Sequence, residues 1–346
     1  MPSLKEIKGR INSISSTLAI TSAMKMVASA KLQKAQMAIQ NMLPYERRLH
    51  SMLIDLMGAV NMSAPASEEG SARLVSLSNQ PDHTESEGAY SLMAQRQVHR
   101  VAIVAFASNS SLCGAFNSNV IREATAVINE YRASGLGDAD ITVYSVGRKM
   151  AKAMKKLGFP SPADFTKMSD SPSYDAASAL AQELFDGFVS GRFDKVELVY
   201  NHYKSTSSQP TTRQTYLPLS LADAIADLQA GKIADSASES DTNRGAEPVG
   251  APVVRQSSPT AEASDLIVEP SKEELIATLL PKVIRLRIFT TLLDSAAAEH
   301  AARTVAMQLA TDNGNDLLQE LTLEYNKGRQ QKITSEILDL VGGSMQ

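Results

Sequence analysis

The side chains in this sequence that could carry chemistry fall into four groups. The first is residues 108–116 (SNSSLCGAF), rich in Ser and Asn around Cys113, the single cysteine of the chain. Between a strand and a helix, such a loop is where α/β proteins cradle phosphate on backbone amides. The stretch lacks the G-x-G-x-x-G that lets a backbone approach a pyrophosphate, and Gly231-Lys232 lacks the upstream Gly and following Ser or Thr of a phosphate-binding loop. The loop therefore reads as a structural turn with a packed thiol at Cys113. The second group is Glu299-His300 with Arg303 one helical turn on, which reads as an exposed or interface polar face rather than a catalytic set. No G-x-S-x-G elbow accompanies it, and no Ser, His and Asp arrangement identifies a triad. The third group, Lys25, Lys31 and Lys34, has no aromatics between its charges for bases to stack on, so it reads as a solvated flank and not a nucleic-acid site. The fourth, Met24, Met26 and Met37, reads first as seam packing and second as a greasy bearing surface against a partner.

A metal centre is not expected. One cysteine and five scattered histidines (50, 83, 99, 202, 300) give no CxxC, no HExxH and no pair at ligand spacing. No catalytic residue or cofactor site is assigned. A lone cysteine cannot close an internal disulfide, which suits a reducing compartment. The formal charge of −4 does not describe a basic polymer seeking nucleic acid or anionic lipid. It is unevenly spread: residues 1–50 hold eight Lys and Arg against two Glu, and residues 231–269 hold three against seven acids. No window has the ~18 consecutive apolar residues of a membrane span. The first ten residues lack the apolar core of a secretory signal, and the helical pattern begins at Leu4 without a processing break. The expectation is a mature bacterial protein on the cytoplasmic side.

The elements that must position these residues begin with Pro2-Ser3 and Glu6, a capping box at the start of a long helix. Apolar residues fall at Leu4, Ile7, Ile11, Ile14 and Leu18, then after a phase shift at Met24, Ala28, Leu32, Ala35, Ile39 and Met42, in steps of three and four. Pro44 can kink this helix without ending it, and Leu49, Leu53 and Leu56 continue the seam. At 1.5 Å per residue the rod to Met57 is roughly 80 Å long. The C-terminal segment mirrors it. Pro270-Ser271 and Glu274 form a second capping box, Leu275, Leu279, Val283, Leu286, Phe289 and Leu293 keep the period, and an alanine-rich stretch over residues 295–310 lets another helix come close. The period resumes at Leu317, Leu321, Tyr325, Ile333, Ile337 and Leu340, and Gly342-Gly343 ends it near ~100 Å. Gly314 and Gly328 are candidate weak points.

Between the rods, strands are expected at 99–106, 141–146, 195–203 and 212–219, with helices at 117–132, 148–157 and 174–189. Strands alternating with helices imply a small Rossmann-like α/β sandwich, at least partly parallel. The fold class is therefore α/β: a long antiparallel coiled coil of the N- and C-terminal helices plus this domain. Residues 1–57 read as the first coiled-coil helix, 58–97 as a flexible insertion, 98–220 as the α/β domain, 221–269 as a flexible insertion or linker, and 270–346 as the second helix. On residue patterns alone the function stays open, with a nucleotide-dependent α/β enzyme with coiled-coil arms and a coiled-coil adaptor or nucleic-acid binder among the readings.

Three motifs then carry a resemblance. Residues 20–36 (ITSAMKMVASAKLQKAQ) and 299–343 (EHAARTVAMQLATDNGNDLLQELTLEYNKGRQQKITSEILDLVGG) resemble the N- and C-terminal signatures of the gamma subunit of F-type ATP synthases, and residues 110–117 (SSLCGAFN) resemble its third marker. Local departures are Ser22 where many relatives carry Lys, Asn109-Ser110-Ser111 in place of Asp-Arg-Gly, and Ala115 for Gly. Segments 58–97 and 230–269 look like insertions relative to typical members. The resemblance implies a non-catalytic central-stalk rotor. Its paired termini would lie inside the hexamer of alpha and beta subunits, and its body would sit with epsilon on the c-subunit ring. Proton flow would turn it to drive ATP synthesis, with catalysis in the beta subunits. It also implies beta-subunit contacts at Met24, Lys25, Arg329, Gln330, Thr334 and Glu336, no cofactor, no nucleic acid, and membrane contact only through the complex, on the cytoplasmic face of the bacterial inner membrane.

Overall fold

The computed structural model describes residues 3–62, 92, 96–219 and 272–343. Helix α1 (Leu4–Met62) and the last helix, α6 (Lys272–Gly343), frame the molecule. Between them lie β1 (Val101–Phe106), α2 (Phe116–Ala133), β2 (Ile141–Val146), α3 (Arg148–Lys156), α4 (Thr166–Asp170), α5 (Tyr174–Val189), β3 (Lys195–Asn201) and β4 (Thr211–Leu217).

The start of α1 shows the hydroxyl half of the expected capping box: the Glu6 amide donates to the Ser3 hydroxyl at 3.2 Å, while the Glu6 carboxylate accepts from Arg10 at 3.2 Å. The second expected capping box turns on Ser271, which lies outside the described residues. Both helices run through an internal proline, Pro44 and Pro281. Helix α1 also continues to Met62, five residues into the stretch read as an insertion, because a single Gly58 costs a helix only about 1 kcal/mol.

The two long helices pair antiparallel. As the number rises along α1 its partner's falls along α6: Leu4 stands against Gly328 and Leu18 against Gly314, Thr311 donates to Thr21 at 3.0 Å, and Thr290 donates to Glu46 at 3.2 Å. The two glycines are therefore close-approach points. A Cβ on Gly314 would sit 2.7 Å from Leu18 Cδ2, and one on Gly328 would sit 3.2 Å from Leu4 Cδ2. Sequence read them as weak points; the packing uses them as notches for leucines.

The sheet order is β2-β1-β3-β4, with β1 parallel to β2 and β3, and β4 antiparallel to β3. Alternation along the strands divides the core. Val101, Ile103, Ala105, Ile141 and Val143 face α2 and α3, while Ala102, Val104, Phe106, Tyr144, Val146 and Leu198 face α5, α6 and part of α1. The shaft is thus one layer of the α/β sandwich. Between the two long helices, observed element ends lie within two residues of expectation, and the additions are α4 and a 3-10 turn at Asp138–Asp140, both too short to show a period. Glycine is required at Gly147, where φ is +96° and a Cβ would meet the Ala107 carbonyl oxygen at 2.0 Å.

Candidate functional site

Residues that hold the body to the shaft are distinct from residues the shaft leaves uncovered. The first set centres on Glu299 and Arg303 of α6, which form an ion pair at 2.5 Å with both side chains about nine-tenths buried. Arg303 also donates to the Ser111 carbonyl at 2.7 Å and the Ser110 hydroxyl at 2.8 Å. Of the exposed and interface readings of this group, only the second survives: it is a buried staple between α6 and the loop after β1. Burial holds the Glu299 carboxyl above the usual range, more than the bonds from Arg303 pull it down. Within the Asn109-Ser110-Ser111 departure, the Ser110 hydroxyl is a side-chain acceptor of that staple, while the Ser111 acceptor is a backbone carbonyl that any residue would supply.

The loop's remaining polar side chains are engaged with one another and with neighbouring elements. Asn117 Nδ2 donates to Ser108 Oγ at 2.8 Å and to Cys113 Sγ at 3.1 Å, and the Ser108 amide donates to Asn117 Oδ1 at 3.0 Å. Asn109 ties the loop to its neighbours, accepting from the Arg148 amide and donating to the Thr166 carbonyl, each at 2.7 Å. Cys113 is buried against Phe116 and Ala298, and burial pushes its thiol up, so it is a packed side chain and not a nucleophile. This is the structural turn that the spacing predicts.

His300 lines a pocket of about 260 Å³ with Lys31, Ser110, Ser169 and Asp170. Burial, then Lys31 and Arg303, hold its imidazole at about 4, so it is neutral near pH 7. Its Nδ1 has no hydrogen-bond partner, and so no serine is activated through that nitrogen. Glu197, the other deeply buried acid, is structural. Burial would raise its carboxyl, but bonds from Arg213, Lys195 and Tyr131 hold it below the usual range and pin β3 to α2 and β4.

The second set lies along the shaft. Arg329, Gln330, Thr334 and Glu336 are all exposed on the last turns of α6, beyond the point where Leu4 of α1 ends the pairing. Thr334 bonds back to the Gln330 carbonyl at 2.9 Å, and Glu336 lies 3.7 Å from Lys332 on the same helix. Met24 and Lys25 are half-buried in the seam. Since the register places them near residue 308 of α6, they lie roughly 30 Å along the rod from Arg329. The structure thus brings four of the six expected contact residues together and leaves two apart. Of Met24, Met26 and Met37, Met24 alone is half-buried in the seam. Met26 and Met37 point outward, because a step of two along a helix turns about 200°.

The uncovered surface is apolar as well as polar. Ile333, Ile337, Leu338, Leu340 and Val341 are all exposed, and every described side chain between residues 329 and 341 is exposed. Among the described residues no helix is long and apolar enough to cross a membrane, and no group of three or more His, Cys, Asp or Glu could hold a metal ion.

The sequence model of the family described as ATP synthase matches residues 3–345. The chain is similar to the ATP synthase gamma chain of Phocaeicola vulgatus, 48% identical over 345 residues that cover 100% of both chains. Among solved structures it is similar to a chain of the Euglena gracilis mitochondrial ATP synthase, OSCP/F1/c-ring in rotational state 3, with TM-score 0.54, 19% identity, and coverage of 99% of this chain and 93% of that one. A chain of the same organism's ATP synthase rotor in rotational state 1 gives TM-score 0.51 at 18% identity, covering 95% of this chain and 98% of that one. At these identities the solved structures attest the fold: two long helices on a small mixed sheet.

Proposed function

The chain belongs to the ATP synthase family as a gamma chain, and from that premise we propose that it is the rotor shaft coupling proton flow through a membrane ring to ATP synthesis and hydrolysis on an alpha/beta hexamer. The observation that carries the reading is the uncovered end of α6. About 15 residues, roughly 22 Å of helix, extend past the start of α1 and present Ile333, Ile337 and Leu340 exposed, with no apolar partner among the described residues. An exposed apolar stripe of this kind is stable where another surface surrounds it. A sleeve of alpha and beta subunits supplies that surface, and an apolar contact offers few strong directional bonds to break as the tip turns.

The paired helices supply stiffness, and the body set to one side makes the shaft asymmetric. Each orientation of an asymmetric shaft favours a different conformation at each surrounding site, which is coupling through a moving element. Catalysis belongs to the beta subunits in this scheme. Arg329, Gln330, Thr334 and Glu336 meet them at the tip, while Met24 and Lys25 meet them lower on the rod. The body stands with epsilon on the c-subunit ring, and the chain is held at the cytoplasmic face of the inner membrane through these partners alone. The alternative, a nucleotide-dependent enzyme with coiled-coil arms, is disfavoured because the polar side chains of the loop after β1 are engaged with one another, with Arg303 of α6 and with its other neighbours.

Deleting residues 329–346 tests the reading in the assembled complex. Coupling of ATP hydrolysis to proton transport should fall severalfold while the body and the remaining shaft stay folded by circular dichroism. Unchanged coupling would sink it.

A further inference from the structure

Three elements meet at one carboxylate. Asp294 of α6 accepts the Tyr203 backbone amide at 2.8 Å through Oδ1 and the His202 Nδ1 at 2.6 Å through Oδ2. The Tyr203 hydroxyl in turn accepts the Gln36 side-chain amide of α1 at 2.7 Å. One chain of hydrogen bonds therefore runs from α6 through the residues just past β3 to α1. Much of the remaining contact between body and shaft is apolar packing, which resists separation but has no preferred direction. Bonds of fixed direction oppose sliding and twisting.

We propose that Asp294 is a positioning residue that gears the α/β body to both shaft helices, and that His202 is its proton-dependent partner, so that torque passes more tightly when His202 is charged. The functional half of this statement rests on the rotor reading above; the clamp itself does not.

The surroundings single out His202 as the group that changes charge near neutrality. It borders a cavity of about 390 Å³ between body and shaft, where α1 contributes Glu46, Arg47 and His50, α6 contributes Arg287 and Asp294, and the sheet contributes only the neutral Tyr200 and Gln214. Lys204 adds a positive charge beside it. His50 stays neutral, held at about 4 by burial and then by Arg287. His202 is shifted the other way: the hydrogen bond to Asp294 outweighs burial and Lys204 and raises its imidazole. With the folded value raised, the extra strength of the clamp is fully present below the ordinary imidazole value of about 6.5 and is lost as pH rises through the raised value. Neutral His202 can still donate from Nδ1, so the clamp weakens rather than opens.

The full-length chain tests the clamp without the complex. Titrated by NMR, His202 should lose its proton above the ordinary range, and Asp294→Asn should return it to that range. Exchange of the Tyr203 amide, corrected for intrinsic rates, should quicken roughly three- to tenfold from pH 6 to 8.5, an effect tempered by the exposure of His202. His202→Gln, which keeps a neutral donor, should make that profile flat. An ordinary titration, or an unchanged profile in His202→Gln, overturns the clamp whether or not the complex rotates. In the assembled enzyme, coupling under load should decline with pH in the wild type more than in His202→Gln. Identical profiles there, with the clamp present in the isolated chain, overturn the positioning role and leave the rotor reading to the tip deletion.

Discussion

The two halves of α6 share one backbone geometry and have opposite surroundings. In the lower half, Leu280 and Ile288 are 0% exposed, Ala297 and Ala301 vanish into the contact with α1 and the body, and the Glu299–Arg303 pair stitches the helix to the loop after β1. In the upper half, Ile337 is 54% exposed and Leu340 74%, although both continue the apolar period of the helix. The difference teaches what each half answers to. The lower half is positioned by its own chain. Among the described residues the upper half has half a seam, supplied by α1, and then none.

Substitutions should separate the halves by size of effect on the isolated chain. The largest loss is expected in the lower half at Leu280→Ala, where truncating a fully buried side chain should cost about 4 kcal/mol in denaturant unfolding. Arg303→Ala should follow at about 3 kcal/mol, because it strips a buried carboxylate and a loop of their partner. The accompanying rise in the Glu299 carboxyl should make that variant less stable at pH 8 than at pH 6, relative to the wild type, since a neutral Glu299 is tolerated and a charged one is not. Gly314→Ala, midway up, should change stability by less than about 1 kcal/mol. Helix propensity gains there while Leu18, whose side-chain end is the colliding atom, moves aside. Ile337→Ser at the tip should fall within about 0.5 kcal/mol in the isolated chain and yet lower coupling in the complex. A tip substitution that unfolds the chain, or a Leu280→Ala that does not destabilise it, would erase the distinction between the halves.

Much of the scaffold was legible in the sequence because it rests on period. Steps of three and four announced α1 and α6, a short apolar run announced β1, the alternation of strand and helix patterns announced β2 to β4, and the alanines over residues 295–310 announced the close approach seen at Ala297 and Ala301. What period cannot show is pairing across long separations. The seam register that seats Leu18 on Gly314, the reach of Arg303 to Ser110, and the convergence of His202, Tyr203 and Gln36 near Asp294 join residues far apart in the chain, and no local signal marks them. The contact residues expected at the tip are an intermediate case. Arg329, Gln330, Thr334 and Glu336 stood out by motif, and the geometry that exposes them follows from α1 starting at Leu4.

The central claim, that this chain turns inside a catalytic sleeve, is open to direct sight. Cys113 is buried and its thiol is pushed up by burial, so a cysteine placed at exposed Lys155 by Lys155→Cys would be the reactive one and would carry a bead on the body. With the surrounding hexamer fixed to glass and ATP supplied, the account predicts that the bead rotates in one direction, in steps that slow as ATP is diluted. A bead that stays still, or wanders both ways, while the same complexes hydrolyse ATP would contradict it.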